Sequence, residues 1–176
     1  MTEVAGAKDR MVERPDGALA LIRAIESWGA THVIWLPSTE SPRMHQALRD
    51  SRLVGIPVCR EGEAIPIAAG LYAGGKKPVV AIQNTGFLES GDSVRGLAIP
   101  LGIPLPIVIA YRGYKKDGPM TDTAAIYIEP ILKAWGIKYY LVNPLDERRI
   151  QAVLQEAWDT SSPVVVLLPE AEGRSR

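Results

Sequence analysis

The chain has 176 residues, 47% of them hydrophobic, which is length and apolar content for one sizeable core. Its 20 Lys and Arg balance 20 Asp and Glu, so no basic excess favours nucleic acid and no charged block reads as a tail. The single cysteine, Cys59, excludes an intrachain disulfide and fits a reducing, cytoplasmic setting; no apolar run reaches membrane-spanning length, and Met1-Thr2-Glu3-Val4 does not read as a secretory signal.

Residues 1–14 are polar and of mixed charge, expected as a flexible lead-in to one domain over 15–170, with 171–176 as a tail. From Pro15 to Gly29, the positions Ala18, Leu21, Ile22, Ile25 and Trp28 fall at helical spacing, and Gly29 stops the helix. Thr31 to Leu36 is a strand by β-branched and aromatic content, closed by Pro37. A second helix fits Pro42 to Asp50, with Ser41 available as its cap. Ile56 to Arg60 reads as a short strand. An acidic turn with Glu61 and Glu63 follows, then a helix of small residues, Ala64, Ala68, Ala69, Gly70, Ala73 and Gly74. Pro66 has no N–H for the carbonyl four residues back, so the first helical bonds form beyond it or skip it. Glu61 is thereby placed at a strand-to-helix junction.

Pro78 to Ile82 is a near-continuous apolar strand, as expected when both faces are buried. Gln83 to Gly86 reads as a loop and Ser90 to Leu101 as a helix. Leu105 to Tyr111 is a fourth strand, Thr123 to Trp135 a helix behind a Thr121-Asp122 cap, and Lys138 to Val142 a fifth strand. Asp146 to Trp158 is a helix and Pro163 to Leu168 the last strand. Strands alternating with helices predict an α/β fold: a doubly wound parallel sheet of about six strands with helices on both faces. Ligands of such sheets sit beyond the carboxyl ends of the strands.

His32 and His45 stand alone, without the spacing of a metal site. No Gly-x-Gly-x-x-Gly follows a strand, and no Gly-x-Ser-x-Gly elbow is present. By spacing alone, Glu61 and Glu63 are charges that complement a helix start. Ser38 to Ser41 reads equally as a capped helix start, and the basic stretch after Arg112 as a solvated loop. A guanidinium there also suits an acidic substrate group.

The run Arg60-Glu61-Gly62-Glu63-Ala64 with Ala68-Ala69-Gly70, together with Gln83-Asn84-Thr85-Gly86, resembles the N-terminal pyrimidine-binding domain of thiamine-diphosphate-dependent decarboxylases, in particular those acting on sulfopyruvate and phosphonopyruvate. The resemblance implies that Glu61 hydrogen-bonds N1′ of the cofactor's aminopyrimidine. Pro37, Arg60, Gln83, Asn84, Thr85 and Gly86 would line the cofactor pocket, and Ser38, Thr39 and Arg112 would face the substrate. It also implies a 2-oxo acid substrate and a partner. Such enzymes hold the diphosphate and Mg2+ on a second domain through a Gly-Asp-Gly motif and an Asn. Here Gly91-Asp92-Ser93 is the nearest match, and Asn84 and Asn143 are at the wrong offset. The expectation is therefore an alpha subunit in a hetero-oligomer whose beta subunit carries the diphosphate and metal, with no metal ligands on this chain. Phe87-Leu88-Glu89 departs from the Leu-Gly-Asn that follows this turn in the family. A carboligase subunit, a non-catalytic regulatory subunit and a flavin- or nucleotide-binding module of the same fold are the alternatives.

Overall fold

Six short apolar runs pair into one sheet: β1 (His32–Trp35), β2 (Val54–Pro57), β3 (Pro78–Gln83), β4 (Pro106–Tyr111), β5 (Lys138–Leu141) and β6 (Val164–Pro169). The structure, a computed structural model, describes residues 16–37 and 42–169. Every strand pairing is parallel and the order is β2-β1-β3-β4-β6-β5. The helices are α1 (Gly17–Ser27), α2 (Pro42–Arg49), α3 (Glu61–Ala73), α4 (Asn84–Glu89), the single turn α5 (Gly91–Ser93), α6 (Thr123–Ala134) and α7 (Glu147–Thr160), with a π-helical turn at Val94–Ala98.

Side chains alternate across the pleat and so build two cores. Val33, Trp35, Val79, Val108 and Val166 pack with α1, α2 and α7. Ile34, Val80, Ile82, Ile107, Ile109 and Val165 pack with α3, α4, the π-helical turn and α6. Each such fully buried Val or Ile contributes about 1.5–3 kcal/mol of transfer free energy. Both faces are covered, which is why the central strands carry almost no polar residues. The doubly wound parallel fold expected from the sequence is the one observed. The order of connection reverses at β1, which has β2 on one side and β3 on the other. The crevice beyond the carboxyl ends of β1 and β3 is therefore the switch point where such sheets receive ligands.

Three elements differ from expectation by more than one or two end residues. The second strand is Val54–Pro57 rather than 56–60. Val54 N–H bonds Thr31 O at 3.0 Å and Val58 N–H bonds Trp35 O at 2.9 Å, after which the chain turns to enter α3. β2 is an edge strand with Val54 52% exposed, so its apolar signal is weak, and Pro57 is tolerated there because an edge leaves N–H groups unpaired. The segment 83–86 is not a loop, because α4 begins at Asn84, directly after β3. The helix expected over 90–101 is instead broken near Ser90 and ends in the π-helical turn. Ser90 Oγ donates to Gly86 O at 2.7 Å, the i−4 back-bond that bends helices. Gly29 does close the first helix, at φ 86°. Its N-cap is Asp16, whose carboxylate accepts from Ala18 and Leu19 N–H.

Below the carboxyl end of β4, the Tyr111 hydroxyl lies 3.0 Å from Glu129 Oε1 and 3.1 Å from Ala125 O. Tyr139 donates to the other Glu129 oxygen at 2.8 Å. Burial, with Glu129 adding to it, pushes the Tyr111 hydroxyl well above the usual tyrosine range, so it stays a neutral donor. This network pins α6 to the sheet. Tyr111→Phe is expected to cost about 1.5–3 kcal/mol, the range for a hydrogen bond to a charged group. Urea unfolding at neutral pH measures it.

Candidate functional site

Glu61 is the first residue of α3, and Arg60 before it is the extended N-cap, at φ −142° and ψ 140°. No side chain of Arg60 caps the helix. The Glu61 side chain lies half-buried across the backbone of Gly86, in the first turn of α4. A β-carbon at Gly86 would stand only 2.5 Å from Glu61 Cδ, so any side chain there would collide with the glutamate. Two segments that the sequence separates by 25 positions thus meet at the mouth of the β1/β3 crevice.

Asn84 is fully buried at the end of β3. Its Nδ2 donates to Arg112 O at 2.9 Å and its Oδ1 accepts from Thr85 N–H at 3.1 Å. The side chain therefore ties the start of α4 to the segment leaving β4. Arg112 directs its guanidinium to Asp122 Oδ2, with Nε at 3.1 Å and Nη2 at 2.7 Å. Asp122 also caps α6 through Ala124 N–H at 2.9 Å. Gly113, at φ 78°, leaves room for this because its own β-carbon would strike Asp122. The remaining described residues implied as cofactor-lining are near the same edge. Pro37 follows β1 and is exposed, Gln83 is the half-buried N-cap of α4, and Thr85 is exposed on its first turn. Ser38 and Thr39, implied as substrate-facing, and the Ser41 cap lie outside the described residues, as do 1–14 and 171–176.

Arg60, also implied as cofactor-lining, is exposed. Its guanidinium pairs with Glu89 at the end of α4, and the same carboxylate accepts the Gly62 N–H. Glu63 does serve the helix start: its Oε2 accepts Cys59 N–H at 3.3 Å. Glu89 and Ser93 were not singled out by sequence reasoning as site residues. The only signal was that Glu89 stands where the family's turn continues with Asn. The small residues of α3 divide in use. Ala64 and Ala68 are fully buried in the chain's own core, whereas a β-carbon at Gly70 would meet nothing within 4 Å.

Hydrogen bonding from Ala124 N–H, then the Arg112 guanidinium, holds the Asp122 carboxyl below its usual 3.8. A carboxyl lowered in the folded state stabilises above its unfolded value, and that contribution is lost as pH falls through the folded value. Asp122→Ala is expected to cost ~1 kcal/mol at neutral pH, as for loss of an N-cap. The difference from the parent should close as acid titration proceeds below 3.8. Thermal unfolding of both proteins across that range measures it.

Among the described residues, no group of three or more His, Cys, Asp or Glu is placed to hold a metal ion, and no helix is long and apolar enough to cross a membrane. No protein-family model matches the chain. Among curated proteins it is similar to sulfopyruvate decarboxylase subunit alpha of Methanocaldococcus jannaschii, 27% identical over 155 residues that cover 86% of this chain and 92% of that one. It is 29% identical over 115 residues to sulfopyruvate decarboxylase of Methanosarcina acetivorans, and there the match covers 64% of this chain but 30% of the relative. Phosphonopyruvate decarboxylase of Streptomyces viridochromogenes is 30% identical over 106 residues, 58% of this chain and 27% of its own. The chain thus spans nearly all of a separate alpha subunit and under a third of each longer decarboxylase.

Proposed function

We propose that this chain, a homologue of sulfopyruvate and phosphonopyruvate decarboxylases, is the pyrimidine-binding alpha subunit of a thiamine-diphosphate-dependent 2-oxo acid decarboxylase. Its substrate would be a sulfopyruvate- or phosphonopyruvate-like acid. The observation that carries this reading is the seating of the Glu61 carboxyl on Gly86 at the sheet's switch point.

The residues present fit such a cofactor. An aminopyrimidine needs a carboxyl group fixed beside a ring nitrogen; Gly86, with no side chain, leaves the space in which the Glu61 carboxyl is held. When bound, thiamine diphosphate supplies an electron sink for the pair released as carbon dioxide departs. The chain's own part is positional and protonic. Glu61 holds a proton against the ring nitrogen N1′. The first turn of α4, with Gln83 before it and Thr85 on it, walls the pocket, and Asn84 fixes that turn from beneath. Pro37 follows β1, and Ser38 and Thr39, next in the sequence, would face the substrate. Arg112, whose guanidinium is paired with Asp122, offers a cation suited to a sulfonate or phosphonate.

The diphosphate and its Mg2+ belong to a beta subunit in a cytoplasmic hetero-oligomer. Two patterns of relationship support a second subunit: a match over most of a subunit named alpha and a partial match to longer single chains. A carboligase is the second reading, favoured by a 29% identity over 157 residues with 1-deoxy-D-xylulose-5-phosphate synthase of Methylibium petroleiphilum, covering 72% of this chain and 24% of that enzyme.

The test is co-purification with a chain bearing the Gly-Asp-Gly and Asn motif, then assay with sulfopyruvate and phosphonopyruvate. The expected result is carbon dioxide release that needs thiamine diphosphate, Mg2+ and both chains. Product formed only when an aldehyde acceptor is added would instead identify the carboligase. No thiamine-dependent turnover with either substrate class would overturn both.

A further inference from the structure

Gly62 stands next to Glu61 in the first turn of α3, and both of its backbone polar groups lack a partner within the helix. Its N–H is among the first four of the helix, which no preceding carbonyl can serve. Its carbonyl would be the acceptor for residue 66, but Pro66 has no N–H. Both groups are satisfied from one neighbouring segment. Glu89 accepts the Gly62 N–H and pairs with Arg60 on the N-cap. Ser93 Oγ donates to Gly62 O at 3.3 Å. Glu89 and Ser93 are four residues apart, so the chain through α4 and α5 presents both on one side. The glycine leaves room for this grip. A β-carbon at 62 would lie 2.8 Å from Glu89 Oε2 and 3.3 Å from its Cδ, although the backbone there is ordinary helix rather than the left-handed region.

We propose that Glu89 and Ser93 form a two-point clasp on Gly62 that sets the position of Glu61, with Arg60 orienting the Glu89 carboxylate. Both are positioning residues that act through Glu61. The clasp rests on the proposed role of Glu61, and it assigns a purpose to the Phe87-Leu88-Glu89 segment. The segment that supplies Gly86 under the Glu61 side chain also supplies Glu89 over the next peptide. The glutamate turn is therefore held from both sides by one element.

The experiment has two arms. In the full chain, amide hydrogen exchange by NMR reads the clasp directly. The Gly62 amide should be protected, and Glu89→Ala should speed its exchange at least about ten-fold, the loss of a fixed acceptor at a helix start. Gly62→Ala discriminates further. Helix propensity alone makes it stabilising, whereas the clasp makes it destabilising, because the added methyl drives Glu89 away. In the complex with its diphosphate-binding partner, hydrogen–deuterium exchange at C2 of thiamine diphosphate is followed at saturating cofactor. Glu89→Ala should slow it about ten-fold or more, in keeping with the cost of a misplaced group. Glu89→Gln should recover most of the rate, since its amide oxygen still accepts the Gly62 N–H, and Arg60→Gln should fall between them. The clasp is overturned by an unprotected Gly62 amide in the parent protein, by a stabilising Gly62→Ala, or by a Glu89→Gln that is as slow as Glu89→Ala. Absence of any C2 exchange in the parent complex would instead sink the cofactor assignment, and the amide and Gly62→Ala results would still judge the clasp.

Discussion

Glu61→Gln is expected to slow C2 deuterium exchange of thiamine diphosphate in the two-chain complex by about 10²–10⁴-fold, the usual worth of one positioned acid–base group. Glutamine preserves size and hydrogen-bonding shape but cannot share its proton with a ring nitrogen. The fold should be indifferent to the change, because Glu61 carries no part of the core and the acidic character of the α3 start persists in Glu63. The matched control is Glu63→Gln, two residues along, whose exposed carboxylate accepts the Cys59 N–H in the helix entry. Its exchange should stay within about two-fold of the parent, since a surface change of this kind shifts little. Equal rates in Glu61→Gln and Glu63→Gln would remove Glu61 from the mechanism.

The second large effect falls on a residue with no side chain. Gly86→Ala places a methyl where the Glu61 side chain now lies. Because Gly86 is in helix α4 and not at positive φ, the backbone accepts alanine, and the cost is purely one of overlap. Overpacking a closed site costs about 1–3 kcal/mol, and displacing a reacting group by an ångström costs on the order of 10² in rate. Gly70→Ala on α3 is the opposite case. Nothing lies within 4 Å of the added carbon, so the chain should gain up to ~1 kcal/mol from helix propensity. Thermal unfolding of the chain together with C2 exchange in the complex separates the two. If Gly86→Ala matched Gly70→Ala in both, the contact between Glu61 and α4 would carry no function.

Strands buried on both faces were legible because they leave no choice of period: Pro78 to Ile82 and Leu105 to Tyr111 are apolar throughout. The edge strand β2 was placed two residues late, because Val54-Gly55 is exposed and glycine carries no strand signal. The start of α4 was hidden for a different reason. Gln83-Asn84-Thr85-Gly86 has turn composition, and only burial of Asn84, bonded to Arg112 O and Thr85 N–H, lets the helix begin there. Pro66 is the instructive residue. That it orphans the carbonyl at position 62 follows from covalent structure alone. That Ser93 answers it, and that Glu89 answers the N–H of the same peptide, needs the packing of α3 against α4 and α5. Glu61 could be singled out from sequence; its contact with Gly86 could not, because nothing in either segment encodes the meeting of the two.

The central claim is that the Glu61 carboxyl reaches N1′ of the cofactor's pyrimidine ring. The nitrogen-15 resonance of thiamine diphosphate labelled at N1′, recorded in the two-chain complex, reads that hydrogen bond without depending on turnover. The account predicts a shifted N1′ signal in the parent complex that returns toward the free-cofactor position in Glu61→Ala while the cofactor remains bound. An N1′ resonance that is the same with and without the glutamate would contradict it.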